Sequence, residues 1–256
     1  TVQPVFDSPL LLARKRRALA APVAGADFLM RRAGAELADR LAVVERRFGD
    51  AAAVFCLTGE AAAAMRASGK VERMVRIETD PAFLGDEPGT VVPPETLGAE
   101  PESLDLAVSL MTLHEINDLP GLLAQIRRAL RPDGLFLAAM AGGGTLAELR
   151  ASLLAAESEL SGGVSPRVAP FADLRDVGAL LQRAGFALPV TDVDTVTVRY
   201  SDLFALMRDL RAMGATNALL GRSRRPATRA LFLRAAEIYA ERYADADGRI
   251  RATFSI

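Results

Sequence analysis

Cysteine and histidine are nearly missing from this chain: Cys56 and His114 are the single representatives of their types among 256 residues. One cysteine excludes an internal disulfide framework, and one cysteine with one histidine leaves too few soft ligands for a Cys/His zinc site. The expected setting is a reducing interior compartment. Tryptophan is absent and aromatic residues make up 5% of the chain, which argues against base stacking on single-stranded nucleic acid and against an aromatic sugar platform. An excess of either charge is also missing. The 31 Lys and Arg against 32 Asp and Glu leave a formal net charge of -1, so no overall field draws the protein to nucleic acid or to an anionic membrane. No apolar run reaches the ~18 residues of a spanning helix, and residues 1–17 lack the apolar centre of a signal peptide. Repeats and low-complexity linkers are absent as well.

What is present is a chain that is 50% hydrophobic and 25% charged, ample for the core of one large α/β domain. "FLMRRAGAELADRLAVVERRF", Phe28 to Phe48, spaces its apolar residues by three and four and reads as an amphipathic helix closed at Gly49. The run "AAAVFCL", then Thr58 and Gly59, then "EAAAAMRASGK", reads as strand, sharp turn and helix, the first half of a βαβ unit. "RMVRIETD" is the next strand. "SLDLAVSLMTLH" is a third, apolar almost throughout as a strand covered on both faces should be. "LPGLLAQIRRALRPDG" is a helix stopped by Pro132 and Gly134, and "LFLAAMAGGG" a fourth strand. The alternation indicates a doubly wound, mostly parallel sheet. Helices are expected in "TLAELRASLLAAESEL" and "DLRDVGALLQRAGF", an alternating edge strand in "LPVTDVDTVTVRY", two further helices between Ser201 and Asp247, and a last strand in "ATFSI" that the expected fold would extend.

In such a sheet, ligands bind beyond the carboxyl ends of the strands, where the first βα turn brings backbone N–H groups to the ligand. That turn is "CLTGE", and Glu78 follows Gly59 by nineteen residues (78 − 59), the spacing of an acid that takes ribose hydroxyls. The series "VFCLTGE", "RIETDPAFL" and "SLDLAVSLMTLHEINDLPGLLAQIRRALRPDGLFL" resembles the class I S-adenosylmethionine-dependent methyltransferases. "SPRVAPFAD" and "LRAMGATN" are similar to one branch of them, that of the methyltransferase-like mitochondrial complex I assembly factor and its alphaproteobacterial relatives.

The resemblance implies a seven-stranded methyltransferase-like (Rossmann-like) sheet with a reversed last strand. It divides the chain into an N-terminal helical segment (1–48), a core (49–200), a helical cap inserted before the last strand (201–247) and that strand (248–256), effectively one domain. It implies S-adenosylmethionine as cofactor, with Thr58 and Gly59 in the first turn, Glu78 on the ribose, and Leu110 to His114 beside the methyl donor. The family's acid for the adenine amino group falls where Pro93 and Pro94 precede Glu95, so Glu95 takes that place only if the loop shifts. It implies either methyl transfer to a protein or small-molecule acceptor or, for the assembly-factor branch, hydroxylation of an arginine in a complex I subunit. The compartment is then the bacterial cytoplasm or the mitochondrial matrix.

Against the family's first turn, Asp-Leu-Gly-Cys-Gly-Thr-Gly, this chain reads Ala53, Val54, Phe55, Cys56, Leu57, Thr58, Gly59. Bare glycine lets backbone approach a ligand and adopt left-handed conformations, so Phe55 and Leu57 are expected to crowd the ligand or push the turn aside and to weaken binding. A worn turn of this kind also fits a non-catalytic assembly or binding module, the alternative to the enzyme. A dinucleotide-dependent oxidoreductase needs the glycines even more strictly and ranks last.

The remaining candidates have simpler readings beside the sharp ones. Cys56 reads as a buried apolar residue. His114 reads as a structural or capping residue, yet it is the sole imidazole available for proton transfer. Asp192 and Asp194 would share one face of an alternating strand, where two exposed acids are the ordinary explanation for a paired-carboxylate pattern. "GRSRRPATR", Gly221 to Arg229, reads as a solvated turn leading into a helix, and Gly142 to Gly144 lack the Lys-Ser/Thr of a P-loop.

Overall fold

The computed structural model describes residues 3–256; Thr1 and Val2, which open the expected N-terminal helical segment, lie outside them. Along the chain the elements are α1 (Ser8–Ala20), α2 (Phe28–Val43), β1 (Phe48–Val54), α3 (Glu60–Ala67), β2 (Val71–Glu78), α4 (Pro81–Leu84), β3 (Gly89–Val91) and β4 (Leu104–Leu110). They continue as α5 (Leu119–Ala129), β5 (Leu130–Ala139), α6 (Ala147–Ser161), α7 (Leu174–Arg183), β6 (Thr195–Tyr200), α8 (Leu203–Ala212), α9 (Arg229–Tyr243) and β7 (Ile250–Ser255). Two compact units result. One is built on Val23–Met140 and Arg175–Thr191, the other on Pro4–Pro22, Ala141–Leu174 and Asp192–Ile256.

The first unit carries a five-stranded sheet in the order β3-β2-β1-β4-β5, every neighbouring pair parallel. β1 and β4 are central, and their apolar runs serve two core layers at once because successive side chains leave opposite faces. Ala51 and Ala53 pack with Leu37, Leu41 and Met65 on one face. Ala52 and Val54 pack with Leu122 and Ile126 on the other. α5 begins where its sequence says it should: Asp118 caps it by accepting from Gly121 N at 2.9 Å, with a proline in the first turn. In the crossover between β3 and β4 no helix forms, since Pro93, Pro94, Gly98 and Pro101 interrupt it.

Several boundaries differ from the sequence expectation. The helix expected to run to Phe48 ends at Val43, and Phe48 is instead the fully buried first residue of β1. The Lys70 ammonium fixes the stop by donating to the carbonyls of Leu41 at 2.6 Å, Ala42 at 2.8 Å and Val44, a C-terminal cap made from another element. β3 is a strand the sequence did not announce, because its three residues are all exposed and show no apolar pattern. Among the described residues, seven strands form two sheets, of five and two strands, rather than one sheet of seven.

In the second unit β6 and β7 pair antiparallel, from Thr195↔Ser255 to Tyr200↔Ile250. β6 alternates exposed and half-buried residues, so only one of its faces is covered. It begins at Thr195 rather than Leu188, which leaves Asp192 and Asp194 exposed ahead of the strand and not on a shared strand face. The two motifs that mark the assembly-factor branch are joined here. Glu157 of α6 accepts from Ser165 N and Oγ at 3.0 Å and from Arg167 at 2.6 Å, and Asn217 Nδ2 donates to Pro166 O at 2.9 Å.

Candidate functional site

The turn after β1 is left-handed at two positions that carry side chains. Phe55 has φ 51° and Leu57 φ 61°, left-handed values that favour glycine. Gly59, the glycine that is present, has φ −76°, and a Cβ there would meet Glu87 Oε1 at an ordinary 3.5 Å. The chain thus puts side chains where bare backbone is wanted and bare backbone where none is required.

Neighbouring groups hold Phe55 and Leu57 in place. Phe55 N donates to Ile77 O at 2.8 Å, and the Thr112 hydroxyl donates to Phe55 O. The Phe55 ring is 3% exposed and packs with Ile77, Val92, Leu97 and Leu113. Leu57 is half-buried.

Glu78 ends β2 and is 0% exposed. Its Oε1 accepts from Cys56 N at 2.9 Å and Leu57 N at 3.0 Å, so the N–H groups that face a ligand in this kind of turn are already satisfied from within the protein. Arg76, two residues earlier and on the same face of β2, donates to the same oxygen at 3.3 Å. Burial pushes the Glu78 carboxyl up to about 7, against the opposing pull of Arg76 and the two backbone donors.

Three buried polar atoms here have no partner: Glu78 Oε2, Thr58 Oγ1 and the Nε of Arg76. Buried oxygens are ordinarily hydrogen-bonded. An acceptor and a hydroxyl left over at the carboxyl end of the sheet fit the hydroxyl groups of a nucleoside.

The other expected residues have definite places. Leu110, 1% exposed, ends β4 inside the core layer that also contains Cys56 and Val108. Met111 follows with φ 58°. His114 is half-buried in a short 3-10 turn, Leu113–Glu115. Glu95, with φ 63°, has its carboxylate on the backbone N–H groups of Asn117 at 2.8 Å and Asp118 at 3.1 Å, while its own carbonyl accepts from Gln125 Nε2 at 2.9 Å. That carboxylate fastens the entry to α5, so it is engaged there rather than turned to an adenine. Cys56 is fully buried, its thiol directed at Val54 O and Val108 O, and burial pushes it up to about 12, which keeps it a neutral thiol.

Sequence reasoning missed Arg76, Glu87, Ser109 and Thr112. Arg76 was detectable: a cation at a spacing of two from the acid along one strand must share that acid's face. Ser109 and Thr112 lie in contact, oxygen to oxygen at 3.4 Å, beneath the turn. A cavity of about 290 Å³ lies on the sheet face nearer the amino ends, bounded by Asp50, Arg73, Val75, Leu97 and Ser103. It does not reach the Cys56–Gly59 turn.

Comparison with known proteins gives the same picture. Residues 53–138 match a methyltransferase domain family, the segment that runs from the end of β1 to β5. The YcgJ protein of Bacillus subtilis superposes with a TM-score of 0.58 at 11% identity, covering 86% of this chain and 94% of that one, a likeness of fold. The methyltransferase domain carries S-adenosylmethionine as its expected cofactor. The malonyl-[acyl-carrier protein] O-methyltransferase of Xylella fastidiosa is 38% identical over 161 residues, 63% of this chain and 52% of that protein. The mitochondrial arginine-hydroxylase NDUFAF5 of Danio rerio is 39% identical over 238 residues, 90% of this chain and 73% of its own length. With that extent of identity, the chain belongs to the family of the arginine-hydroxylase NDUFAF5, built on the methyltransferase fold.

Proposed function

We propose that this protein hydroxylates an arginine side chain of a protein partner, with one atom of dioxygen entering the side chain and the other leaving as water at the expense of a two-electron reductant from solution, and with S-adenosylmethionine held at the Cys56–Gly59 turn and at Glu78. The observation that carries the reading is the 39% identity to an arginine-hydroxylase over 90% of the chain, which extends well beyond the methyltransferase domain at residues 53–138. When bound, the cofactor brings a sulfonium group, the electrophile of methyl transfer, to the carboxyl end of the sheet. The residues around it do the positioning. Glu78 Oε2 and the Thr58 hydroxyl, both buried without a partner, would receive the ribose hydroxyls. Leu110 ends β4 in the core and would lie behind the methyl donor, and His114 is the imidazole at hand for proton transfer. The partner implied is a subunit of respiratory complex I, and the compartment is the mitochondrial matrix or the bacterial cytoplasm. Among the described residues no helix is long and apolar enough to cross a membrane.

A second reading, methyl transfer, is favoured by the likeness to the Xylella fastidiosa O-methyltransferase over the segment that holds the turn. A third keeps the fold as a non-catalytic assembly module. One experiment separates them: the full chain is incubated in air with S-adenosylmethionine, a two-electron reductant and a candidate complex I subunit, and the subunit is analysed by peptide mass spectrometry. An arginine heavier by one oxygen supports hydroxylation, and a gain of one methylene supports methyl transfer. An unmodified subunit that co-purifies with the protein supports the assembly role. Calorimetric titration with S-adenosylmethionine tests the cofactor independently, and no binding at millimolar ligand would sink it.

A further inference from the structure

The structure contains a line of alternating charges that ends on the cofactor acid. Arg66 of α3 contacts Glu87 Oε1 at 2.9 Å, Glu87 Oε2 contacts Arg76 at 3.2 Å, and Arg76 contacts Glu78 Oε1 at 3.3 Å. Arg76 is 2% exposed. It also donates to the carbonyls of Phe83 at 2.7 Å and Leu84 at 3.2 Å. A cation this deep needs a strong reason to stay, because burying a charge is costly unless it is paired and hydrogen-bonded. The backbone carbonyls alone would be served as well by a neutral donor; the carboxylate of Glu78 would not.

We propose that Arg76 is a positioning residue of the nucleoside subsite: its guanidinium opposes the loss of charge that burial brings to Glu78 and holds its Oε1 turned to the Cys56–Leu57 backbone, with Oε2 presented to the ribose hydroxyls. Glu87 tunes this hold by competing for the same guanidinium. The inference rests on the reading of S-adenosylmethionine as cofactor. Its geometry is specific. Three donors converge on one carboxylate oxygen, and the other oxygen is left buried without any. Only that second oxygen remains for a ligand. The charged and titratable groups around Glu78 are few: Arg76 on its own strand, Cys56 from the turn after β1, Asp80 just beyond β2, and Glu87 ahead of β3, with Arg66 reaching it through Glu87. The two variants Arg76→Gln and Glu87→Gln should therefore act on Glu78 in opposite directions.

The test uses the full chain and two readouts. Carboxyl-carbon NMR follows the Glu78 titration without any ligand. In Arg76→Gln it should move up by about one pH unit or more, the range an adjacent opposite charge produces. In Glu87→Gln it should move down, since Arg76 is then shared with one acid fewer. Arg76→Lys should return toward wild type. Calorimetry with S-adenosylmethionine and S-adenosylhomocysteine across the neutral range should show the pH midpoint of affinity moving in the same directions. An arginine that merely anchors the Phe83–Leu84 turn would lower thermal stability and affinity equally at every pH, and that result overturns the proposal. So does an unmoved Glu78 titration in both variants. Should Arg76→Gln fail to fold, the partly exposed Glu87 still decides, because its variant predicts a shift of opposite sign. If wild type binds neither nucleoside, the cofactor reading and the ligand half of the proposal fall, while the NMR titration still judges the hold of Arg76 on Glu78.

Discussion

Leu57 offers a sharp test of whether the first turn is under strain. Its φ of 61° costs an ordinary L-residue about 1–2 kcal/mol. Glycine relieves that strain but gives up about 0.5–1 kcal/mol through its greater freedom in the unfolded chain. Leu57 is half-buried, so removing its side chain loses about 1 kcal/mol, roughly half the value of full burial. Leu57→Gly should therefore unfold within about 1 kcal/mol of wild type. Leu57→Ala loses the same packing and keeps the strain, so glycine should be the more stable of the two. At an ordinary helix or strand position the order is reversed, with glycine the worse by about 0.5–1 kcal/mol. Phe55 behaves differently although its φ of 51° is similar. Its ring sits in the core, and Phe55→Gly should lose about 3–5 kcal/mol of packing and recover only about 1–2 from strain. Urea denaturation of the three variants measures the order directly, and calorimetry should find tighter S-adenosylmethionine binding in Leu57→Gly. If alanine proves more stable than glycine at position 57, the strain argument is wrong.

Glu78 should make stability fall as pH rises from its ordinary value of 4.5 to about 7. The native state keeps that proton longer than the unfolded chain does, and a shift of this size corresponds to about 3 kcal/mol. Urea midpoints measured across the window should show this loss in wild type and not in Glu78→Gln; equal slopes would refute it. Glu95→Ala leaves the N–H groups of Asn117 and Asp118 without their acceptor and should cost about 2–3 kcal/mol, read as a lower denaturation midpoint and faster amide exchange at the start of α5. Lys70→Met strips the last carbonyls of α2 of their cap and should cost about 1–2 kcal/mol, with exchange quickened at Leu41 to Val44 and little changed in β4.

How legible the molecule was depended on whether packing or identity set the outcome. β1, β4 and α5 follow from apolar runs, a helical period and the Asp118 cap, all written locally. Phe48 was misplaced because it satisfies the helical period of the preceding segment while its burial belongs to β1; Lys70, far along the chain, breaks the tie. β3 has no apolar pattern to read. At the site, the position of the turn and of Glu78 was plain, but the left-handed backbone of Phe55 and Leu57 was not, since neither residue type suggests it. The fold imposes it through Glu78, Thr112 and Ile77. Glu95 shows the converse: the sequence offered it to a ligand only if its loop shifts, and gave no sign of its two backbone partners, which lie more than twenty residues further on.

The hydrogen bonds of Glu78 also bear on what kind of ligand this turn accepts. A dinucleotide or nucleotide phosphate needs free backbone N–H groups and a positive end to meet its charge. Here the N–H groups of Cys56 and Leu57 are taken by Glu78 Oε1, and the atom left over, Oε2, is an acceptor on an acid. An anion arriving at the turn would face that carboxylate with no donor from these two residues to hold it. Neutral hydroxyls, which donate, are what an unpaired carboxylate oxygen can receive. A turn bonded in this way suits the neutral hydroxyls of a ribose better than a pyrophosphate, which is the contact proposed for Glu78.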